Sequence, residues 1–452
     1  MKNPTYNLII LILMPFMVCC EGFLDEKPNR SLLTLNSLSD LRALLDNDIQ
    51  HFNMEPAIPE VASADFDLQP QAIPSLQIFE RNAYLWEPDV FEGRSSFEWN
   101  NSYRQILFAN TVLEELDKFD PKIKNSQEGI SLKGSALFYR SYAFFNLVTV
   151  FAMPYLPGSN DQDLGVVLRL SPDVKVKVQR ATLKETYDRI LEDLKTSIPL
   201  LESRFEKPTR PSRQASLALL ARIYLAIQDY ENALDFSQQA LSIHHSVLDF
   251  NLLNPALANP IPQLNEEIIF QSNLQLGLYT LSQLLVPRPE LIDLYDQNDL
   301  RKSIFYITRP SGLLNFRGHY SGNIRSFGGL TTGELILIKA ESLARLNRLD
   351  EARSAVFELL QFRFPNGFDF QSGIRTDNVL EKILEERRKE LVFRGLRWQD
   401  LRRFNFSANE QVTLSRMVDG NLLTLAPHDP KYAFPIPNDE IELGGLIQNP
   451  RN

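Results

Sequence analysis

Apolar residues recur every three to four positions over long stretches of the chain, the period of an amphipathic helix. In "WNNSYRQILFANTVLEEL", Tyr103, Ile106, Leu107, Asn110, Leu113 and Leu116 share one stripe, which predicts a helix over residues 99–116. "LKGSALFYRSYAFFNLVTVF" aligns Ala136, Tyr139, Ala143 and Leu147. It is apolar on its other face as well, which predicts a deeply buried helix. "KETYDRILEDLKTSIPLL" predicts a third helix, ending near Pro199.

A helical pair follows. In "QASLALLARIYLAIQDYENALDFSQQAL", large Leu217 and Leu220, small Ala221 and aromatic Tyr224 are followed by small Ala233 and Ala240. This is tetratricopeptide (TPR) spacing, with small residues where two antiparallel helices cross and bulky ones around them. "TGELILIKAESLARLNRLDEARSAVFELL" repeats it loosely through Ile336, Ala340, Leu343 and Ala352. The helix holding Tyr139 and Leu147 reads as half of a further unit, parted from its partner by "AMPYLPGSNDQDLGVVLRLSPDVKVKVQR". The units are scattered along the chain and form no tandem array.

Between the helical units lie two long irregular stretches, residues 48–99 and 251–327, rich in Pro, acids and aromatics. Loops of this length in an ordered protein usually carry function, and their aromatic content argues against disorder. A helical scaffold with large ordered loops points to binding on the loops.

One further helical stretch stands out by its charge. "ERRKELVFRGLRWQDLRRFN", residues 386–405, holds seven Arg or Lys and three acids, in a chain of 452 residues whose net charge is −10. Glu385 and Lys389, and Glu390 and Arg394, are spaced i,i+4; Asp400 and Arg403 are spaced i,i+3. Such pairs meet on a helix. Gly395 divides the stretch into two helical pieces, with Leu391, Trp398, Leu401 and Phe404 facing inward. It therefore reads first as framework whose cations neutralise nearby carboxylates, with a site for an anionic ligand as the alternative. A sequence pI of about 5.2 argues against generic nucleic-acid binding, which needs a basic surface.

The two cysteines, Cys19 and Cys20, sit at the end of a short apolar run that begins at Leu8 and follows Lys2. The run is too short for a bilayer span, which takes roughly 20 apolar residues, and it fits a secretory signal. With no cysteine after Cys20, the expectation is a lipoprotein signal over residues 1–19 and lipidation of Cys20. The same count rules out a disulfide framework, a Cys-ligated zinc site or a cysteine nucleophile in the remainder.

The chain carries little recognisable catalytic chemistry. The histidines, His51, His244, His245, His319 and His428, form no zinc-binding pair. Phosphate-binding glycine loops and the nucleophile elbow are absent. Asp65 and Asp67 are too few for a calcium site. A two-carboxylate glycosidase cannot be read from spacing, since its acids need only meet in space.

Five stretches, in order, carry a resemblance. They are "CEGFLDEKP" (residues 20–28), "WNNSYRQILFAN" (99–110), "YRSYAFFNLVTVFAMPY" (139–155), "ERRKELVFRGLRWQDLRRF" (386–404) and "FPIPNDEIELGGLIQNP" (434–450). Together they resemble the SusD/RagB family of nutrient-binding outer-membrane lipoproteins. Ser141 and Arg394 depart from the family's pattern, the latter standing where an acid is usual before Gly395. The resemblance implies an all-α fold, with TPR-like helical pairs packed against a large irregular, loop-rich half. It implies a signal over 1–19, an N-terminal region over 20–250 and a C-terminal region over 251–452, packed as one unit. It implies a non-catalytic protein without cofactor or metal. Such a protein sits on the outer membrane through its lipid anchor and faces the cell exterior. There it captures an oligosaccharide, or a peptide as in RagB-like proteins, and passes it to a SusC-like TonB-dependent barrel. The alternatives are a TPR-type protein adaptor and a secreted helical glycosidase.

Sugar rings stack their C–H faces on aromatics and need fixed polar partners for their hydroxyls. "ERNAYLWEPD" supplies Arg81, Tyr84, Trp86 and Asp89 in an expected loop, and "NFRGHYSGNIRSF" supplies Tyr320 and Asn323. The expected ligand-binding set is Trp86, Tyr84, Arg81, Asp65 and Tyr320. Trp86, flanked by Glu87, Pro88 and Asp89, is the expected exposed platform.

Overall fold

Helix-capping side chains set where the scaffold begins and ends. The structure is a computed structural model that describes residues 35–47, 52–275 and 283–451. The signal run, Cys20 and His51 lie outside the described residues. Helix α1 (Phe97–Lys118) starts at Ser96, whose hydroxyl accepts the Trp99 N–H; α2 (Gln127–Phe151) starts at Ser126, which accepts the Gly129 N–H. Helix α3 (Leu183–Ser197) opens on a capping box between Thr182 and Glu185 and passes into a short 3₁₀ turn at Pro199. These side chains satisfy backbone donors that the helix itself leaves unpaired. The periodic stretches read from sequence are thus helices, and α2 is buried over almost its whole length.

The TPR-like spacing produces two helical hairpins. Helices α4 (Arg213–Ala226) and α5 (Tyr230–Ile243) form the first, α6 (Thr332–Arg345) and α7 (Leu349–Leu360) the second. Both reverse direction the same way. Gln228 and Asn347 take positive φ (61° and 60°). The following N–H groups, of Asp229 and Arg348, reach back to the carbonyls of Tyr224 and Leu343, both at 2.9 Å. That is the six-to-one hydrogen bond of a Schellman ending. Ala221, Ala233, Ala240, Ala340 and Ala352 are fully buried at the crossings. The hairpins are distant in sequence, but α5 packs on α6, so the second stacks on the first. Upstream, α1 packs on α2, α2 on α3 and α3 on α4, which makes one row of helices from α1 to α7. Separation along the chain conceals a contiguous stack.

The irregular stretches are ordered by short helices and two-stranded sheets. Met54–Glu55 runs parallel to Asn273–Leu274, and Phe66–Leu68 antiparallel to Leu285–Pro287. These pairings join the two irregular stretches to each other. The second stretch adds the hairpin Tyr306–Thr308/Leu314–Phe316. The first holds two short helices, Ile58–Ala62 and Ile78–Tyr84. Arg81 and Tyr84 therefore lie on a helix and not in the expected loop.

The basic stretch forms α8 (Val379–Glu390) and α9 (Arg397–Phe404), divided at Phe393 and Gly395, both at positive φ. Of the expected local pairs, Asp400–Arg403 forms at 2.9 Å. Glu385 instead meets Lys382, and Glu390 meets Arg301 and Arg363. Buried long-range pairs dominate. Arg403 reaches Glu341, Arg387 reaches Asp400, and Arg388 reaches Asp65 across 323 positions. Arg394, the departure from the family pattern, places its guanidinium over the rings of Tyr320 (5.0 Å) and Phe327 (4.9 Å) and donates to Thr331 Oγ1. Cation–π contact takes the place of an ion pair there.

Candidate functional site

A five-residue helix separates two clefts of about 550 Å³ each, within the range of small-ligand sites. The helix is Ile58–Ala62. Its N-terminal backbone N–H groups, of Ala57 and Ile58, both donate to Glu98 Oε1 at 2.8 Å. Glu98 is the second residue of α1, so the scaffold fixes this wall directly. Ile58 and Val61 face one cleft, and Glu60 faces the other.

The first cleft opens at the N-terminus of α1. Phe97, Asn100 and Arg104 share one face of that helix at i, i+3, i+7 spacing and line the cleft. Gln77, Ile78 and Phe79, at the start of the Ile78–Tyr84 helix, form the other side, with Arg94 and Ser95 between. Phe97 is 54% exposed, a large aromatic surface open to solvent. The floor is polar and incomplete. Glu98 and Gln275 are both buried, and both line the cleft. Glu98 Oε2 and Gln275 Nε2 have no hydrogen-bond partner among the described residues. Burial pushes the Glu98 carboxyl up to about 8, against the two backbone N–H donors that favour its charge. At neutral pH it is largely a neutral acid. Buried polar groups normally find partners; both orphans are almost without solvent exposure and belong to residues that line one cleft, and a hydroxyl, which donates and accepts at once, is the kind of group that suits such a pair.

The second cleft lies beside the hairpin. Leu285, Ile307, Phe316, Ile324 and Phe393 give it apolar walls, and Arg309, Arg317, His319 and Glu60 bring ionisable groups. Burial and then the nearby Asp65 push Glu60 up to about 7, and burial takes His319 down to about 4. Glu60 accepts the Gly395 N–H at 2.8 Å.

The residues chosen from sequence line neither cleft. Trp86 is only 3% exposed, and its indole N–H donates to the Ala62 carbonyl at 3.0 Å. The expectation of an exposed platform was therefore incorrect. The polar flank of Trp86 faces solvent, while its own ring turns inward at a positive φ of 55°. Tyr84 is buried, and its hydroxyl accepts the Leu68 N–H. Asp65 is buried against Arg388, at 2.6 Å. Tyr320 is buried and donates to Glu390. Arg81 is partly exposed and lies 3.5 Å from Glu92. Of the remaining loop residues, Asp89 accepts the Glu92 N–H and Asn323 bonds within its own turn around Ser321. Asp67 faces Arg288.

These residues do support the clefts from beneath. Ring contacts run from Tyr84 to Phe66 (6.0 Å), Phe393 (5.9 Å), Phe316 (4.7 Å) and His319 (5.0 Å), ending in the second cleft. The Arg416 guanidinium stacks on Tyr84 and Trp86 and donates to the carbonyls of Val61, Ala62 and Ser63 at the end of the dividing helix. Phe97 was legible in one respect: it falls off the apolar stripe of α1, where an aromatic has no core to fill.

Comparison with known proteins places this architecture. Residues 22–225 match the family model described as "Starch-binding associating with outer membrane", and residues 332–451 match the model described as "SusD family". No curated protein matches the chain. Among solved structures, a SusD superfamily protein from Bacteroides thetaiotaomicron superposes with a TM-score of 0.77 at 20% identity, over 92% of this chain and 100% of its own. A SusD superfamily protein from Bacteroides vulgatus gives 0.74 at 19%, over 92% and 99%. A SusD-like carbohydrate binding protein from the same species gives 0.68 at 17%, over 90% and 96%. At these identities the superpositions establish the fold. With the two family models, which flank the second irregular stretch, they lead to one conclusion: this chain belongs to the SusD family.

Proposed function

We propose that the protein is a non-catalytic, cell-surface binder of a nutrient oligosaccharide, which it delivers to a TonB-dependent outer-membrane barrel. The observation that carries the saccharide reading is the first cleft. An exposed phenyl ring, Phe97, lines the same cleft as a buried acid and amide, Glu98 and Gln275, whose unpartnered atoms are of the kinds that pair with a sugar hydroxyl. Asn100, Arg104, Arg94 and Gln77 offer further donors and acceptors at the rim. The description of the N-terminal family model, starch binding in association with the outer membrane, supports the same reading.

Delivery and anchoring belong to the proposal. Cys20 is the lipidated residue, and mass analysis of the mature N-terminus is expected to show an acylated Cys20; an unmodified N-terminus elsewhere contradicts it. Affinity purification from detergent-solubilised membranes is expected to recover a TonB-dependent receptor. Recovery of soluble proteins alone favours an adaptor.

The binding reading is tested by calorimetry against a panel of neutral oligosaccharides. Phe97→Ala is expected to weaken the best ligand about tenfold, as loss of a stacking ring implies, with little change in melting temperature because the ring is exposed. Hydrolysis of the ligand during titration contradicts the non-catalytic assignment.

A further inference from the structure

The second cleft contains positive charge that the fold does not neutralise. Arg309 ends one side of the hairpin turn, and its Nε donates to Asn315 Oδ1 at 3.1 Å. Asn315 is itself fixed: it is buried, and its amide donates to the carbonyls of Leu285 (2.7 Å) and Gln283 (3.0 Å). The guanidinium is thus held by one edge. Its two terminal nitrogens have no partner, and no carboxylate pairs with it, among the described residues. Arg317 lies nearby. Its terminal nitrogens donate to the carbonyls of Leu257, Pro255 and Ser303, neutral acceptors that leave its charge unopposed. Its Nε is buried without a partner.

The contrast with the interior is informative. Arg222, Arg363 and Arg403 each meet a buried glutamate at 2.8 Å or less. The acid that lines this cleft, Glu60, is engaged elsewhere, with the Gly395 N–H and the Ser63 hydroxyl. Burial, and then the charge of Arg309, hold Arg317 below the ordinary guanidinium value, and both residues line this cleft. A pair of like charges at a cleft mouth attracts an anion. A guanidinium with one free edge matches the two coplanar oxygens of a carboxylate. Phe316, Ile324 and Leu285 give the same cleft an apolar part that suits a ring face, and Asn259, Gln283 and Ser326 also line it and can meet hydroxyls.

We propose that this cleft binds the carboxylate of an acidic saccharide residue, a uronate, with the free edge of Arg309 as the receiving group and Arg317 adding to the local positive potential. The inference rests on the saccharide reading and narrows it to ligands that carry a carboxylate.

The test uses the full-length protein and two probes: an oligogalacturonate, and the same oligomer with its carboxyl groups reduced to alcohols. Wild-type protein is expected to bind the acidic probe about tenfold more tightly, the gain of one charged hydrogen-bonded contact, with the preference shrinking as salt rises. Arg309→Gln is expected to erase the preference, and Arg309→Lys to keep part of it, since charge survives while the planar edge is lost. Phe97→Ala is expected to lower both affinities and leave their ratio. Equal affinity of wild type for the two probes, or an undiminished preference in a folded Arg309→Gln variant, overturns the inference and leaves the saccharide reading in place. A folded wild type that binds neither these probes nor any neutral oligosaccharide overturns both.

Discussion

Glu98 Oε1 accepts the Ile58 N–H at 2.8 Å, and through that bond the first turn of α1 holds the helix that separates the two clefts. The same residue lines the first cleft, and its other oxygen is buried without a partner among the described residues. Scaffold and site therefore meet in one residue. Replacing Glu98 with Ala removes the acceptor of two buried N–H groups, each costing about 1–3 kcal/mol when left unsatisfied. Chemical denaturation is expected to show a loss of about 2–5 kcal/mol. Glu98→Gln keeps an acceptor for both donors and is expected to cost far less.

The raised acids give stability a direction with pH. Burial lifts Glu98 to about 8 and Glu60, with help from Asp65, to about 7. In the unfolded chain both ionise near the ordinary glutamate value of about 4.3. Between the unfolded and folded values the native state holds protons that the unfolded state has released. Their contribution is complete below the unfolded value and is lost as pH rises through the folded one, at up to about 1.4 kcal/mol per unit for each group. Glu390 acts in the opposite sense. Burial opposes its charge, but Arg363 and Arg301 prevail and hold it down to about 2. Its contribution is present above the unfolded value and is lost as pH falls toward 2. From these three groups, unfolding free energy is expected to peak at about pH 4, close to the unfolded glutamate value, and decline toward both 2 and 8. Glu98→Gln is expected to flatten the decline on the alkaline side, and an unchanged slope contradicts the assignment.

The buried charges of α8 behave as framework. Glu390 meets both Arg301 (3.1 Å) and Arg363 (2.8 Å) and accepts from Tyr320. Glu390→Gln removes one counter-charge from each cation, but Arg301 keeps Asp299 and Glu386 and Arg363 keeps Glu267, so a cost of about 1–3 kcal/mol is expected. Saccharide affinity of the folded fraction is expected to be unchanged, because Glu390 lines neither cleft.

Trp86 and Trp398 are expected to act alike. Both are buried; Trp398 stacks on Tyr432 at 4.8 Å, and Trp86 lies under Arg416 at 4.6 Å. Either residue changed to Ala is expected to cost about 3–5 kcal/mol, read as a shifted denaturation midpoint. Ligand affinity of the remaining native protein is expected to be unaffected. Weakened binding with unchanged stability for Trp86→Ala contradicts its place in the core.

What the sequence made legible follows from the range of each signal. Helical periodicity is local, so α1 to α7 were readable, as were the small residues at the hairpin crossings. The division of the basic stretch at Gly395 was readable because a positive φ favours glycine. The partners of its charges were not. Arg388 meets Asp65 across 323 positions, and no local spacing contains that distance. The clefts were hidden for the same reason, since Phe97 and Gln275 come from opposite irregular stretches joined by the parallel pairing of Met54–Glu55 with Asn273–Leu274. Trp86 misled because its neighbours Glu87 and Asp89 are polar. Flanking polarity reports the exposure of those neighbours, whereas a backbone at positive φ turns the indole toward Ala62.

The proposed saccharide site is a sugar ring over Phe97 with a hydroxyl between Glu98 and Gln275. A crystal structure of the protein soaked with its tightest-binding oligosaccharide measures it directly. The expected result is a sugar ring packed on the Phe97 phenyl, with one hydroxyl within hydrogen-bond distance of both Glu98 Oε2 and Gln275 Nε2. A saccharide bound with Phe97 uncovered and both of those atoms still unpartnered would contradict it.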